Sequence, residues 1–329
     1  MGYDGAGEGR RRGGGAMVRA RARLGGLIAT VLVAVVLAGC GGPAAPAAAP
    51  TGATIEHRYG TTTVPAQAER VATVGWNDQD FVLGLGVVPV MTRSWFDAYW
   101  SFPWVRAVTK GAEVPRSGED GIDLEAVAAS RPDVIIAIYE DIDEDMYRKL
   151  SAIAPTVVQS SAYPPEKTPW DVQLLTTGKA IGREDLAERR AAGIRDRIAA
   201  VRAAHPSFAG KVLVEDFGPE NGGHYLIPAG DPRRALFDAL GFATQEHSGD
   251  VSEERLDLLD RDVLFVNGAT EQQMTASVPF ARLDVVREGR TLYTTFSDPL
   301  GGALSYGGPD ALLYAIDQLE PQLAAATTR

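Results

Sequence analysis

Residues 95–104, with the sequence WFDAYWSFPW, form the segment with the densest chemical signal in the chain. Six of these ten residues are aromatic, against 8% of the whole sequence. The segment follows neither a strand nor a helix period and contains a proline, so it is predicted to be a loop. Its rings must be buried, either in the core or against a bound molecule. We predict ligand contacts for Trp95, Tyr99 and Trp100, whereas Phe102 and Trp104 are expected to cap the core.

Other candidates follow the predicted buried strands, at the ends where open parallel sheets bind ligands. They are Trp76, Arg93 and Tyr139 in the first half, and His224, Tyr225, Asn267 and Phe296 in the second half. Arg93 is the strongest charged candidate, because a guanidinium donates two parallel hydrogen bonds to ligand oxygens without displacing a metal from them. A plain surface role remains open for Arg93 and for the pair His224 and Tyr225.

Alternating apolar strands and helices position these residues and predict an α/β fold with two Rossmann-like lobes and parallel sheets. The pattern stops at residues 169–206, which contain helical periodicity only. Residues 183–204 alone predict a helix of about 33 Å, long enough to cross a small domain. We therefore predict a first lobe at 54–168, connector helices at 169–206 and a second lobe at 207–329. Two ordinary helices inside one domain are the alternative.

The N-terminus has the pattern of an export signal. Arg19, Arg21 and Arg23 precede an apolar stretch at residues 24–37, which is too short for a comfortable membrane span. The stretch ends in LAGC, where Cys40, the sole cysteine, is predicted to carry a lipid. Residues 1–39 are thus predicted to be a signal peptide, with Met17 as the expected true start. The low-complexity residues 41–53 that follow the lipidated Cys40 are predicted to be a flexible tether.

Charge and motif content exclude several classes of protein. Residues 1–39 hold six of the 32 basic and two of the 43 acidic residues, so the remaining chain has a net charge of −15. Nucleic acid is a poor partner for such a surface. The sequence has no nucleophile-elbow, phosphate-loop, dinucleotide or HExxH motif, so no enzyme activity is predicted. The four histidines share no metal-ligand spacing, and no metal site or protein cofactor is predicted.

Six segments, in this order and behind the LAGC motif, closely resemble the iron-siderophore solute-binding lipoproteins of ABC importers. The likeness covers roughly residues 66 to 322. The segments are ERVATVGWNDQDFVLGLGVVPV, DGIDLEAVAASRPDVIIAIYEDIDEDMYRKLSAIAPTV, AAHPSFAGKVLV, SEERLDLLDRDVLFV, PFARLDVVREGRTLY and GALSYGGPDALLYAIDQL. Each segment alone is a weak signal, and the wider group also includes ferrichrome-, ferric-citrate-, haem- and cobalamin-binding proteins.

The resemblance implies a ligand cleft between two lobes joined by one long helix. It also implies a ferric siderophore as ligand, an ABC permease as partner, and a monomer anchored by lipid to the extracytoplasmic face of the cell membrane. In such proteins one exposed acidic residue on each lobe docks on the permease. Glu125 and Glu254 occupy the matching positions here.

Alternative ligands remain open at this point. Haem would favour Tyr139 or His224 as axial ligand, cobalamin is a further possibility within the group, and direct binding of a metal ion is a third reading. Among siderophores, highly anionic chelates usually require several arginines or lysines in the cleft. The sequence offers only Arg93 as a strong candidate, with Arg106 and Arg116 as distant ones. The sequence therefore favours a neutral or weakly charged complex, such as a hydroxamate.

Overall fold

The computed structural model describes residues 52–93, 97–118, 121–217 and 223–328, and its first half is built on one parallel sheet. A hairpin of β1 (Thr54–His57) and β2 (Gly60–Thr63) comes first. Then follow β3 (Val71–Thr73), α1 (Asp78–Gly84), β4 (Met91–Arg93), α2 (Pro103–Thr109), β5 (Arg116–Ser117), α3 (Leu124–Ala129), β6 (Val134–Ala137), α4 (Glu144–Ser151) and β7 (Thr156–Val158). The strand order is β5-β4-β3-β6-β7, and all neighbouring strands are parallel.

The sheet of this first lobe is covered on both faces, which explains its uninterrupted apolar strands. All four residues of β6 are buried. Val134 and Ile136 pack into a core on one face, and Ile135 and Ala137 pack into a second core on the other. A strand buried on both sides has no polar face to show, so its sequence is apolar throughout rather than alternating.

Two antiparallel-packed helices connect the lobes, α5 (Trp170–Ala180) and α6 (Glu184–Ala204). The 21 residues of α6 span about 32 Å at helix rise. Ala187 and Ala191, near its start, pack in the core of the first lobe. Ile194, Ile198 and Val201, near its end, pack in a core with residues of the second lobe. One continuous helix is therefore anchored in both lobes, as the predicted connector requires.

The second lobe contains a six-stranded sheet. Its elements are β8 (Val212–Asp216), β9 (His224–Leu226), α7 (Ala235–Leu240), β10 (Ala243–Thr244), β11 (Gly249–Val251), β12 (Val263–Asn267), α8 (Glu271–Thr275), α9 (Val278–Ala281), α10 (Asp284–Arg287), β13 (Thr291–Thr294), α11 (Pro299–Tyr306) and α12 (Pro309–Thr327). The order is β11-β9-β8-β12-β13, with β10 beside β8. β9 and β11 run antiparallel to their neighbours, an edge that the sequence analysis did not predict.

The lobes share one apolar core, in which rings of the aromatic segment meet the second lobe. Phe102 and Trp104 are buried there, as predicted, beside side chains of α11 and α12. Two glycines permit the close approach. A Cβ on Gly302 of α11 would overlap the Phe102 ring, and one on Gly84 of α1 would overlap the Pro309 ring. At both places the backbone of a glycine on one lobe lies directly against a ring on the other lobe, so the interface depends on the absence of a side chain at these glycines.

Replacing Gly302 by alanine is expected to lower the free energy of unfolding by about 2 kcal/mol, because the new methyl group must displace a buried ring in a packed core. Gly193, in the exposed middle of α6, is the matched control, since an added Cβ there has open space around it. Gly193→Ala should stabilise the protein by about 1 kcal/mol through helix propensity. Urea unfolding measures both variants. Equal effects of the two substitutions would contradict the predicted packing at Gly302.

Several predicted features lie outside the described residues. They are the signal peptide at 1–39 with Met17, the lipidation site Cys40, the tether as far as residue 51, and Trp95. Within the part of the chain that the structure describes, no helix combines the length and the apolar character needed to cross a bilayer.

Candidate functional site

Arg93, the last residue of β4, stacks on Trp76, which follows β3. The guanidinium carbon lies 3.4 Å from the centroid of the indole ring, within the range of a cation–π contact. The guanidinium also forms an ion pair with Glu140, three residues after Ala137 at the end of β6. The Arg93 side chain is 7% exposed and that of Glu140 15% exposed. We name Trp76, Arg93 and Glu140 the first-lobe cluster.

Burial raises the pKa of Glu140 to about 7, although the positive charge of Arg93 acts in the opposite direction. Among the described residues, no hydrogen-bond acceptor lies within reach of the Arg93 Nε atom. A buried donor without a partner costs free energy. The first-lobe cluster therefore holds a rigid cation that keeps an unused hydrogen-bond donor.

The second lobe contains a similar arrangement. Arg233 lies over the Phe217 ring, which directly follows β8, with its guanidinium carbon 5.0 Å from the ring centroid. Its Nε and Nη2 atoms each donate to Asp231 at 2.9 Å. The Phe296 ring, which follows β13, lies 5.0 Å from that of Phe217. We name Phe217, Asp231 and Arg233 the second-lobe cluster.

Asp231 also joins the two lobes. The Lys167 ammonium donates to its Oδ2 atom at 2.7 Å. Burial alone would raise the pKa of Asp231, but the hydrogen bonds from Arg233 and Lys167 hold it well below its usual value. This carboxylate therefore remains ionised and fixes the position of the Arg233 guanidinium.

Tyr139 lies between the two clusters. It lines a cavity of about 30 Å³ together with Arg233, Trp170 and Tyr306, so residues of both lobes and of the connector meet there. Burial raises the pKa of Tyr139 to about 12, and the negative charges of Glu166 and Asp231 add to the effect. Its hydroxyl is thus a neutral donor at physiological pH. The cavity has room for only one or two waters.

Two predicted ligand contacts are instead core residues. Tyr99 is 1% exposed, and its hydroxyl donates to the Asp80 Oδ1 atom at 2.8 Å. Asn267 is also 1% exposed and lies under Gly301 of α11. Both side chains pack against α11, Tyr99 against Tyr306 and Asn267 beneath Gly301, so neither offers an exposed surface for the predicted ligand contact. The predicted loop around Tyr99 is a 3-10 helix, Asp97–Ser101, followed by α2.

Trp100 lies half-buried in a different groove from the two clusters. The groove runs along the β5 side of the first lobe, and Arg116 lies over the indole with its guanidinium carbon 5.8 Å from the ring centroid. Arg116 also forms an ion pair with Asp97. The structure therefore separates Trp100 from Trp76 and Arg93, although the sequence analysis grouped them.

His224 is paired inside the second lobe. It is 6% exposed, its Nδ1 atom lies 2.6 Å from the Asp216 Oδ2 atom, and its ring stacks on Phe280. Burial lowers its pKa, but Asp216 and Glu253 outweigh this and raise it. His224 is therefore held in place by Asp216 and Phe280, and its contact with a ligand stays a prediction. Tyr225 is half-buried, and its backbone N–H donates to Asp216 at 3.1 Å.

Comparison with known proteins identifies the family and the fold of this chain. The sequence profile of periplasmic binding proteins matches residues 71–294. The chain belongs to the periplasmic binding protein family. Its fold is similar to that of a periplasmic solute binding protein from Mycobacterium smegmatis, which is 30% identical, with 83% of this chain and 98% of that chain covered and a TM-score of 0.76.

Two further solved structures share the fold at lower identity. The iron uptake substrate-binding protein PiaA of Streptococcus pneumoniae is 24% identical, over 84% of this chain and 99% of that one, with a TM-score of 0.70. SirA of Staphylococcus aureus, solved with staphyloferrin B, is 23% identical over 82% and 98%, with a TM-score of 0.66. The predicted two-lobed α/β fold is confirmed. No curated protein matches the chain in sequence.

In this periplasmic binding protein, sequence analysis missed a buried polar network at the start of α1. Asp78 accepts hydrogen bonds from the backbone of Gly75, Ile138 and Tyr139 and from the Gln173 amide, at 2.9 to 3.1 Å. Burial raises its pKa to about 6 despite these donors. Asp78 accepts hydrogen bonds from the backbone that follows β3 and from the backbone that follows β6. It therefore fixes the loop that carries Tyr139. The only sequence signal was a run of four polar residues, NDQD, at a helix start.

The two predicted docking residues are exposed on separate lobes. Glu125 lies in the first turn of α3, and Glu254 lies in a 3-10 helix, Glu253–Leu258, rather than in the α-helix expected there. Among the described residues of this binding protein, no group of three or more histidine, cysteine, aspartate or glutamate side chains is arranged to hold a metal ion.

Proposed function

We propose that this periplasmic binding protein is the extracytoplasmic component of an ABC importer that captures a ferric siderophore and delivers it to the permease. The observation that carries the proposal is the pair of clusters at the strand ends, each with an arginine stacked on an aromatic ring and fixed by a carboxylate. Arginine donors suit the hard oxygens of a ferric chelate, and flat rings suit its partly apolar body. The siderophore itself supplies the ligands of the iron, so the protein needs none.

Solved structures of the same fold support this choice of ligand. PiaA of Streptococcus pneumoniae has been solved in complex with ferrichrome, and SirA of Staphylococcus aureus with staphyloferrin B.

We also propose that Cys40 carries the lipid that anchors the protein at the membrane, and that the protein acts as a monomer without catalysing a reaction. Mass spectrometry of the membrane fraction, comparing the wild type with Cys40→Ser, tests the anchor.

Titration of intrinsic tryptophan fluorescence tests the ligand class. The panel contains ferric hydroxamates, ferric catecholates, ferric citrate, haem, cobalamin and bare metal ions. Trp76 stacks on Arg93 in the first-lobe cluster, so a ligand bound against this cluster should quench its emission. We expect saturable quenching below micromolar concentration by one class of ferric chelate. Trp76→Phe should remove a large part of the signal.

Other outcomes of this titration would overturn the proposal. Quenching by haem or cobalamin alone would keep the family and change the ligand. Haem would then need an axial ligand, for which Tyr139 and His224 are the candidates. A response to bare metal ions alone would favour direct metal binding. No response to any member of the panel would contradict an iron-related ligand.

Replacing both Glu125 and Glu254 by alanine is expected to abolish uptake and to leave ligand affinity unchanged, because the two exposed carboxylates are proposed to pair with basic residues of the permease. Uptake of the radiolabelled iron chelate by cells and fluorescence titration of the purified variant measure the two quantities separately. The control is Glu144→Ala with Glu246→Ala, which removes one exposed carboxylate from each lobe elsewhere. A loss of affinity, or equal uptake by the two double variants, would contradict docking through Glu125 and Glu254.

A further inference from the structure

Acidic groups outnumber the cations near Tyr139 in the part of the chain that the structure describes. Buried Asp78 acts on Glu140, and buried Glu215 acts on Arg233. Three cations and three further carboxylates belong to the two clusters and to the turn that ends at Lys167. They are Arg93, Lys167 and Arg233, and Glu140, Glu166 and Asp231. Each cation is in an ion pair, Arg93 with Glu140, and both Lys167 and Arg233 with Asp231. The sequence analysis found Arg93 alone and none of the carboxylates.

Glu166 is the carboxylate without an ion pair, and its backbone is in an unfavourable conformation. Its φ angle is 55°, in the left-handed region that favours glycine. It precedes Lys167, whose N–H closes the turn onto the Pro164 carbonyl at 3.2 Å. Its charge acts on both Tyr139 and Glu140. The turn therefore directs an additional negative charge toward the site, where a glycine would have been easier to accommodate.

From the pairing of each of these cations with a carboxylate we propose that the site selects ferric chelates with little or no net charge, and that Glu140 and Asp231 are the residues that exclude anionic chelates. The inference rests on the proposed function and adds the charge class of the ligand. Each arginine has its charge offset by a fixed carboxylate. A guanidinium carries five N–H donors, more than one carboxylate can accept, so donors remain for a ligand. A neutral chelate can accept such hydrogen bonds through its oxygens.

An anionic chelate gains less from the same site. Its attraction to each arginine is offset by repulsion from the paired carboxylate a few ångströms further away. Glu166, which forms no ion pair among the described residues, adds further repulsion. The chelate would also lose its hydration on entering a partly buried site, and a pocket without net positive charge does not compensate for that loss. Selectivity against anions thus follows from the carboxylates, although two arginines are present.

The affinities of the protein for two probes of different charge test the inference. We compare dissociation constants for ferrichrome, a neutral ferric tris-hydroxamate, and for a trianionic ferric tris-catecholate. The assays use the purified full-length protein at pH 8, where Glu140 is ionised because its pKa is about 7. The wild type should bind ferrichrome at least about 100-fold more tightly. Glu140→Gln and Asp231→Asn should each shift the ratio of the two dissociation constants by about tenfold in favour of the tris-catecholate.

Two exposed carboxylates give matched controls for the loss of one negative charge. Asp145 pairs with Lys149 in the first lobe, and Asp257 pairs with Arg255 in the second lobe. Asp145→Asn and Asp257→Asn should leave the ratio of the two affinities unchanged. The inference is overturned if the wild type prefers the tris-catecholate, or if the Glu140 and Asp231 variants behave like these controls. Failure of both probes to bind would instead count against the proposed function.

Discussion

Replacing Arg93 by alanine will weaken binding of ferrichrome about 100-fold. The variant loses the charged hydrogen bonds of a guanidinium, which contribute about 1.5 to 3 kcal/mol each, and about 2.7 kcal/mol corresponds to a 100-fold change. It also loses the cation that fixes the Trp76 ring at 3.4 Å. The fold should survive, because Glu140 without its cation becomes protonated as its pKa rises further. Fluorescence titration gives the affinity, and thermal unfolding confirms the fold.

Arg116 provides the control for this variant. Its guanidinium also lies over an indole ring, that of Trp100, and also pairs with a carboxylate, that of Asp97, but its side chain is 36% exposed and lies in the groove beside β5. Arg116→Ala should change affinity by less than about twofold. Arg93→Lys should fall between the wild type and Arg93→Ala, because an ammonium keeps the charge and loses the planar stacking. An unchanged affinity in Arg93→Ala would place the ligand elsewhere.

The second large effect concerns stability. Asp80→Ala is expected to lower the free energy of unfolding by about 4 kcal/mol. Asp80, buried in α1, accepts hydrogen bonds from the Tyr99 hydroxyl and the Trp104 indole at 2.8 Å, and from the Gly308 N–H at 2.9 Å. Alanine leaves three buried donors without an acceptor, at about 1 to 3 kcal/mol each, with partial recovery if water enters. It also removes the negative charge at the N-terminus of α12.

Two milder substitutions calibrate this result. Tyr99→Phe removes one of the three hydrogen bonds to Asp80 and should lower the free energy of unfolding by about 1 kcal/mol. Asp80→Asn keeps one acceptor oxygen, but its amide NH2 group faces donors that it cannot accept from. We expect it to lower the free energy of unfolding by about 2 kcal/mol. Urea unfolding with linear extrapolation measures all three variants. If Asp80→Ala were no worse than Tyr99→Phe, Asp80 would not join the lobes as the structure indicates.

Asp80 also explains why the lobes are coupled by more than their connector. It belongs to the first lobe, whereas Gly308 begins the long C-terminal helix of the second. Nearby, the Asn77 amide donates to the Tyr306 carbonyl at 3.0 Å. Residues more than 220 positions apart thus share buried hydrogen bonds. Movement of the lobes at this point would break bonds that buried groups cannot easily replace.

Local sequence patterns determined the order of elements. Strands such as β6 and β12 are buried on both faces and read as short apolar runs, and α6 shows the helical period of a long buried stripe. Because parallel strands share one ligand-facing edge, the same patterns located Trp76, Arg93, Tyr139 and Phe296 at strand ends. These predictions require only the periodicity of a single element, which neighbouring residues specify.

The tertiary structure alone decided which of those residues reach the surface and what charge the site carries. Tyr99 and Asn267 are buried because α11, far away in the sequence, packs against them. The second-lobe cluster forms because the turn at Asp231 brings Arg233 over Phe217 and places the Asp231 carboxylate within reach of Lys167 from the other lobe. Burial and ion pairing depend on contacts between distant segments, and a linear pattern of residue types does not encode those distances.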